Sequence, residues 1–276
     1  MSNGPAPELQ TVAARRSSRW LLALRIHTAL VFAFLILPLL IVFPISFSSS
    51  GYMRFPPPGF SLRWYVAYVN DPVWIAATLR SLKIAFFAML LSTLLGTLLA
   101  FSIVRGRYWG REIVNQISAL PIIVPTIVYS IAVYGIFAKL QLIGLWQGIV
   151  LAHTVYAIPF VTIIVAAGLR TFDVAQEEAA MGLGASRLRA VWRITLPQIR
   201  PSLISAAFLA FIASFDELVI AMFLGGSNMT LPKKMFDNIL LEIDPTIAAV
   251  SVLKITMVSI LLVLATRFGA GARPVT

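Results

Sequence analysis

Two acidic residues, Asp216 and Glu217, stand in the middle of an apolar run, SAAFLAFIASFDELVIAMFLGG. A carboxylate at bilayer depth costs on the order of 2.5–3.5 kcal/mol even on lenient insertion scales, so it must face protein or a water-filled cavity. There it can handle a proton or a cation, or hold two subunits together as a purely structural charge. Adjacent helical positions point about 100° apart, so the two carboxylates cannot share one neighbour. One can line a path while the other pairs with Arg80, Lys83 or Lys254, or caps backbone donors in a partner subunit. The remaining chemical inventory is thin. His27 and His153 are the only histidines, and H-E-x-x-H does not occur. His153, in LAHTVYAIPF, reads as a polar contact between helices. The chain has no cysteine, which excludes thiol catalysis, disulfides and cysteine-ligated metals. It also has no G-x-x-x-x-G-K-[ST], so it cannot hold ATP by a P-loop.

The elements that must carry these residues are membrane helices. Of the 276 residues 59% are hydrophobic and only 12% charged, whereas soluble domains average about 45–50% apolar and about 25% charged. Six segments are long and apolar enough to span a bilayer: Ile26–Phe47, Ile75–Val104, Ile113–Phe137, Gly148–Leu169, Pro201–Leu224 and Pro245–Arg267. Pro121, Pro125 and Pro159 fall inside spans and are expected to bend them. The net charge of +11 does not signal nucleic acid, because the basic residues cluster in short loops. Fourteen lie on one side of the six spans and five on the other, with Arg80, Lys83 and Lys254 inside spans. The Lys/Arg-rich side is cytoplasmic, so both termini and the loop between the fourth and fifth spans are expected inside. The N-terminal ARRSSRWLLALRIHTALVFAFLIL has a twin-arginine flavour, but its apolar run is longer than a signal peptide's and no A-x-A cleavage site follows. It reads as an uncleaved first span.

That cytoplasmic loop contains EEAAMGLGASRLRAVWRITLP, residues Glu177–Pro197, rich in charge and in small side chains. Thr171 or Asp173 can cap a first helix, with Gln176 three positions after Asp173. Glu177 and Glu178 sit in its first turns, where the dipole favours them. Gly182 and Gly184 end it. Ser186 caps a second helix whose Leu188, Val191, Trp192 and Thr195 fall on one face, and Pro197 and Pro201 stop it and start the next span. The result is a short helical hairpin with a small or apolar face and a basic rim. It reads either as a docking element for a partner or as an interfacial loop on anionic lipid.

Glu178-Ala179-Ala180, three residues, Gly184, nine residues, Ile194, one residue and Leu196-Pro197 resemble the EAA loop of ABC importer permease subunits at every position. TLRSLKIAFFAMLLSTLLGTLLAF and SFDELVIAMFLGG are similar to the spermidine/putrescine permease group, the second of its two membrane subunits. The resemblance implies an all-α membrane protein of the type I ABC importer permease fold, with six transmembrane helices and a cytoplasmic EAA coupling hairpin. Residues 1–25 would be a cytoplasmic segment, 26–268 the permease domain with 170–200 as its coupling loop, and 269–276 a cytoplasmic tail.

It also implies a transport subunit and not an enzyme, in a bacterial cytoplasmic membrane. Glu178, Ala179, Ala180, Gly184, Ile194, Leu196 and Pro197 would couple to a separate cytoplasmic ATPase dimer, which holds the ATP and magnesium. This chain itself would bind no cofactor. A second permease subunit and an extracytoplasmic binding protein would complete the assembly in the lipid bilayer. The binding protein would rest on the outer loops SSSGYMRFPPPGFSLRWYVAYVNDP and GGSNMTLPKKMFDNILLEIDP, with Asp216 and Glu217 as candidates for the substrate path. The expected solute is small and cationic, such as putrescine or spermidine. Related permeases carry opines, amino-acid derivatives, phosphonates or iron, and an ion-coupled secondary transporter is the more distant alternative.

Overall fold

The computed structural model describes residues 7–241 and 244–269, with side chains for 20–241 and 244–267. The expected tail beyond 269, with Arg273, lies outside the described residues, as do the side chains of Arg15, Arg16 and Arg19. Thirteen α-helices and one π-helical turn account for the regular structure among the described residues. The chain divides into two compact units, Met1–Tyr65 with Asp244–Val252, and Val66–Ile243 with Leu253–Thr276.

The first unit is dominated by α1 (Pro7–Ser46). Its apolar stretch Trp20–Ser46 is unburied over its most apolar window. The end of α1 is tied by Ser46, whose hydroxyl donates to Phe43 O at 2.6 Å and lies 2.8 Å from the Tyr65 hydroxyl. An isolated antiparallel bridge joins Ser48 and Phe60.

The second unit is built on α3 (Pro72–Arg105), α6 (Trp146–Thr171) and α10 (Arg200–Phe215), which pack on one another. Asp71 starts α3: its Oδ1 accepts from Val73 N at 2.7 Å, and Pro72 takes the first helical position. Ala77, Ser81, Ala85, Ala88, Ser92, Gly96 and Ala100 are buried along α3. Small residues at this spacing let helix backbones approach, the device of membrane bundles. Gly96 marks the closest point, since a Cβ there would lie 2.7 Å from Val161 Cβ. Ala206, Ala210 and Ser214 give α10 a similar buried stripe.

Among the described residues four helices are long and apolar enough to cross a membrane, or six when two bent pairs, residues 111–139 and 187–215, each count as one span. Two expected spans are not single helices. The third divides into α4 (Arg111–Ile123) and α5 (Thr126–Lys139), bent by 105°. Pro125 causes the break: the residue before a proline is pushed out of the α region, and Val124 is extended at φ −72°, ψ 128°. Pro121 and Pro159, also expected to bend their spans, lie inside α4 and α6 without interrupting them. The fifth expected span stops at Phe215 and resumes as α11 (Val219–Leu224). Asp216 and Glu217 therefore sit at a break in the backbone ladder, not in the middle of a helix.

α2 (Arg63–Asn70) precedes α3, and α12 (Leu231–Leu241) follows α11. Arg80 donates to Met229 O at 3.0 Å, and Ser81 Oγ accepts from Leu231 N at 2.7 Å, fixing the start of α12 on α3. α13 (Thr246–Gly269) closes the chain's described part.

Candidate functional site: the hairpin and the helix break

The hairpin begins where Asp173 Oδ1 accepts from Ala175 N at 3.0 Å, starting α7 (Ala175–Gly182). Gly184 turns the chain at φ +89°. Around it, Ala185 N donates to Ala180 O and Gly184 N to Met181 O, both at 3.0 Å, the paired bonds that close a helix on a left-handed glycine. Ser186 Oγ accepts from Arg189 N at 3.3 Å and starts α8 (Arg187–Ala190). α8 does not end at Pro197. It runs through a π-helical turn, Val191–Thr195, into α9 (Leu196–Gln198), and the 71° bend toward α10 comes at Ile199. Pro197, inside this run, brings no backbone N–H, and it follows directly on the π turn, where the hydrogen-bond ladder is already widened. The wider π turn also breaks the expected face. Leu188 and Trp192 are exposed at 68% and 65%, while Thr195 is fully buried.

Within the seven-residue motif the side chains divide. Glu178, Ala179, Gly184 and Pro197 are exposed, whereas Ala180 is half-buried. Ile194 and Leu196 pack on the core cluster that contains Leu169, Phe172 and Ile199. Leu183, 91% exposed, adds to Leu188 and Trp192 as apolar surface at the hairpin.

A neighbouring residue, Glu177, is the buried carboxylate. It accepts from the Arg105 guanidinium and from the Thr195 hydroxyl. Arg105, the last residue of α3, also lies over the rings of Phe101 and Phe172 at 5.6 and 5.3 Å. Burial raises the Glu177 pKa, but the two hydrogen bonds and the charges of Arg105 and Arg187 more than offset this and hold it below its ordinary value. This three-residue tie joins the hairpin to α3 and was not among the expected site residues. The available signal was an arginine at the inner end of a span, where burial demands a counter-charge. Beside the tie, Arg107, Arg111, Arg187 and Glu178 line an open cleft of about 870 Å³.

At the break, Glu217 and Asp216 have opposite surroundings. Glu217 is 8% exposed, and its carboxylate accepts from the backbone N–H groups of Val219 (2.9 Å), Ile220 (2.7 Å) and Ala221 (3.3 Å). It caps α11 of its own chain, where the expectation put such donors in a partner subunit. His153 lies behind it, with Nε2 3.6 Å from Glu217 Oε2 and Nδ1 2.7 Å from Ser214 Oγ. Asp216 ends α10, and its side chain is 48% exposed. Of the three bases considered, Lys254 is its partner, with Nζ 2.7 Å from Oδ1. Lys83 instead lies over the Trp146 ring at 3.7 Å.

Residues 92–273 match the family described as "Binding-protein-dependent transport system inner membrane component", and the chain belongs to that family. It is a multi-pass inner-membrane component of a transport system and not an enzyme. The chain is 32% identical over 236 residues to the spermidine/putrescine transport system permease protein PotC of Haemophilus influenzae, covering 85% of this chain and 91% of that protein. It is 34% identical over 237 residues to the putrescine transport system permease protein PotI of Escherichia coli K12, covering 83% and 84%. The fold matches a chain of a bacterial ABC transporter involved in the import of the acidic polysaccharide alginate. That match has a TM-score of 0.69 at 18% identity, covering 96% of this chain and 99% of that one.

Proposed function

We propose that this chain is one permease subunit of an ATP-driven ABC importer that moves a small cationic solute, a polyamine such as putrescine or spermidine, into the cell. Similarity to PotC and PotI over more than four-fifths of the chain supports the solute class. The observation that carries the mechanism is the hairpin: a rigidly capped turn at Gly184 that offers Leu183, Leu188 and Trp192 to solvent. Exposed apolar side chains of this size mark a docking surface. Here the partner is the cytoplasmic ATPase, and the Lys/Arg asymmetry of the loops supports placing the hairpin and both termini inside.

In this reading Glu178, Ala179, Gly184 and Pro197 face the ATPase. Ala180, Ile194 and Leu196 anchor the hairpin to the bundle, and ATP with magnesium stays on the ATPase. A second permease completes the path, and an extracytoplasmic binding protein delivers the solute to the outer loops. Asp216, half exposed and at a break between helices, is the residue of this chain that meets the cation. Glu217 is occupied by backbone N–H groups and shapes the break.

The test is reconstitution with the second permease, ATPase and binding protein in proteoliposomes. Putrescine uptake is expected to require ATP and the binding protein and to survive collapse of the proton gradient. Uptake by this chain alone, driven by an ion gradient, would replace the proposal with a secondary transporter.

A further inference from the structure

The two adjacent carboxylates sit at opposite helix poles. Glu217 is at the start of α11 and accepts three N–H groups. Asp216 is at the end of α10, with its backbone N–H bonded to Ile212 O at 2.9 Å. The carbonyls of a helix's last turn carry the negative end of its dipole, where an anion is disfavoured and a cation favoured. A carboxylate placed there needs a positive partner more than most. Lys254 supplies it from α13, with Nζ 2.7 Å from Asp216 Oδ1 and 5.9 Å from the Phe215 ring centroid. Carboxylate, carbonyl pole and aromatic face together make a site for a primary alkylammonium.

We infer that Lys254 is an internal stand-in for the transported cation: its ammonium holds Asp216 until an ammonium of the solute replaces it. The inference rests on the reading of the chain as a cation importer. This chain does not seal the pair, since Asp216 is 48% and Lys254 22% exposed at the side chain, and an ion pair that its own chain leaves open on the solute path is exchangeable. A lysine side chain is an ammonium on a four-carbon stem, so a diamine offers the same head group on the same kind of stem. Replacing one ammonium by another keeps the charge at the helix pole balanced throughout, and Lys254 returns when the solute leaves. Lys254 is thus a specificity-determining residue that admits only what can compete as a cation.

The chain has no cysteine, so Lys254→Cys introduces a single thiol. In the assembled permease–ATPase complex without binding protein, its modification is followed on this chain by mass. The reagents are cationic aminoethyl methanethiosulfonate and neutral methyl methanethiosulfonate. The cationic reagent is expected to react about tenfold faster relative to the neutral one than it does with a free thiol, equivalent to about 1.4 kcal/mol. Asp216→Asn should remove the preference, and putrescine should slow the cationic reaction only while Asp216 is present. A preference that is absent, or indifferent to Asp216→Asn or to putrescine, overturns the inference.

Should Lys254→Cys fail to assemble, Lys254→Met tests the same point. Putrescine should raise the melting temperature of the Lys254→Met complex more than that of wild type, and equal shifts overturn the inference. ATP-driven putrescine uptake by the unmodified transporter is measured in parallel. If it is absent, the importer reading falls. If it is present while labelling ignores putrescine, only the stand-in role falls.

Discussion

Glu177 and Glu178 are adjacent, yet one is buried against Arg105 and Thr195 while the other faces out. The EAA pattern names the outward one. Nothing local in the sequence tells which glutamate turns inward, because the partner arginine lies 72 positions away, at the end of another helix. The tie has a pH signature. A carboxylate whose folded-state pKa is lowered stabilises the folded form above its unfolded value and loses that contribution as pH falls through the lowered one. For Glu177 the contribution is therefore complete above about pH 4.5, its reference value, and fades only below it. Glu177→Gln removes the charge and leaves the Arg105 guanidinium, 13% exposed, without its counter-ion. Breaking a buried pair from one side costs about 3–5 kcal/mol, so the hairpin should loosen at neutral pH. A spin label on Leu183→Cys is expected to become mobile in wild type only in acid, and to be mobile at all pH values in Glu177→Gln. Identical mobility in both proteins at pH 7 would remove the tie as the hairpin's anchor.

At the level of elements, apolar length made the spans legible, and capping residues made the hairpin legible. Gly184 and Ser186 take the turn and cap positions that their types favour, and Asp173, one residue before the N-cap Val174, accepts from Ala175 N. Hydropathy reports how much apolar chain there is, not whether the backbone ladder runs on. The break after Phe215 was hidden for that reason, since FDELVIAMF is as apolar around the carboxylates as an unbroken span would be. Pro125 was a visible breaker, but Pro121 and Pro159 are the same residue type and interrupt nothing. The π turn at Val191–Thr195 had no sequence signal, and it defeated both the expected face and the expected stop at Pro197. Gly184 is where the element is most sensitive. At φ +89° a space for Cβ exists, but the left-handed conformation costs a non-glycine residue roughly 1–2 kcal/mol. Gly184→Val should leave the protein in the membrane while uncoupling ATP hydrolysis from uptake. Glu178→Arg, a charge reversal on the exposed face, should do the same or release the ATPase on purification. Wild-type uptake in both variants would take the coupling role away from the hairpin.

For the whole molecule, the spans and the basic residues have to agree on which side is in. With six spans, fourteen of the 22 Lys and Arg residues would lie on the side that carries the hairpin, and five on the other. This bias is the main determinant of insertion for short loops. An even number of crossings then returns both termini to the cytoplasm, provided that α4–α5 and α10–α11 each cross once. The condition is real, since among the described residues only four helices are long enough to cross unaided. If the α4–α5 pair turned back within the membrane, its 105° bend would make it re-entrant and everything after it would change sides. A cysteine-free chain allows the question to be asked one position at a time. Ser50 follows the first span, Ser186 lies in the hairpin, and Ser227 follows the α10–α11 break. With an impermeant thiol reagent applied to intact cells, Ser50→Cys and Ser227→Cys are expected to label, and Ser186→Cys only after the cells are opened. Labelling of Ser186→Cys from outside would place the hairpin away from any cytoplasmic ATPase and overturn the coupling mechanism. Labelling of Ser50→Cys with protection of Ser227→Cys would instead identify a pair that does not cross.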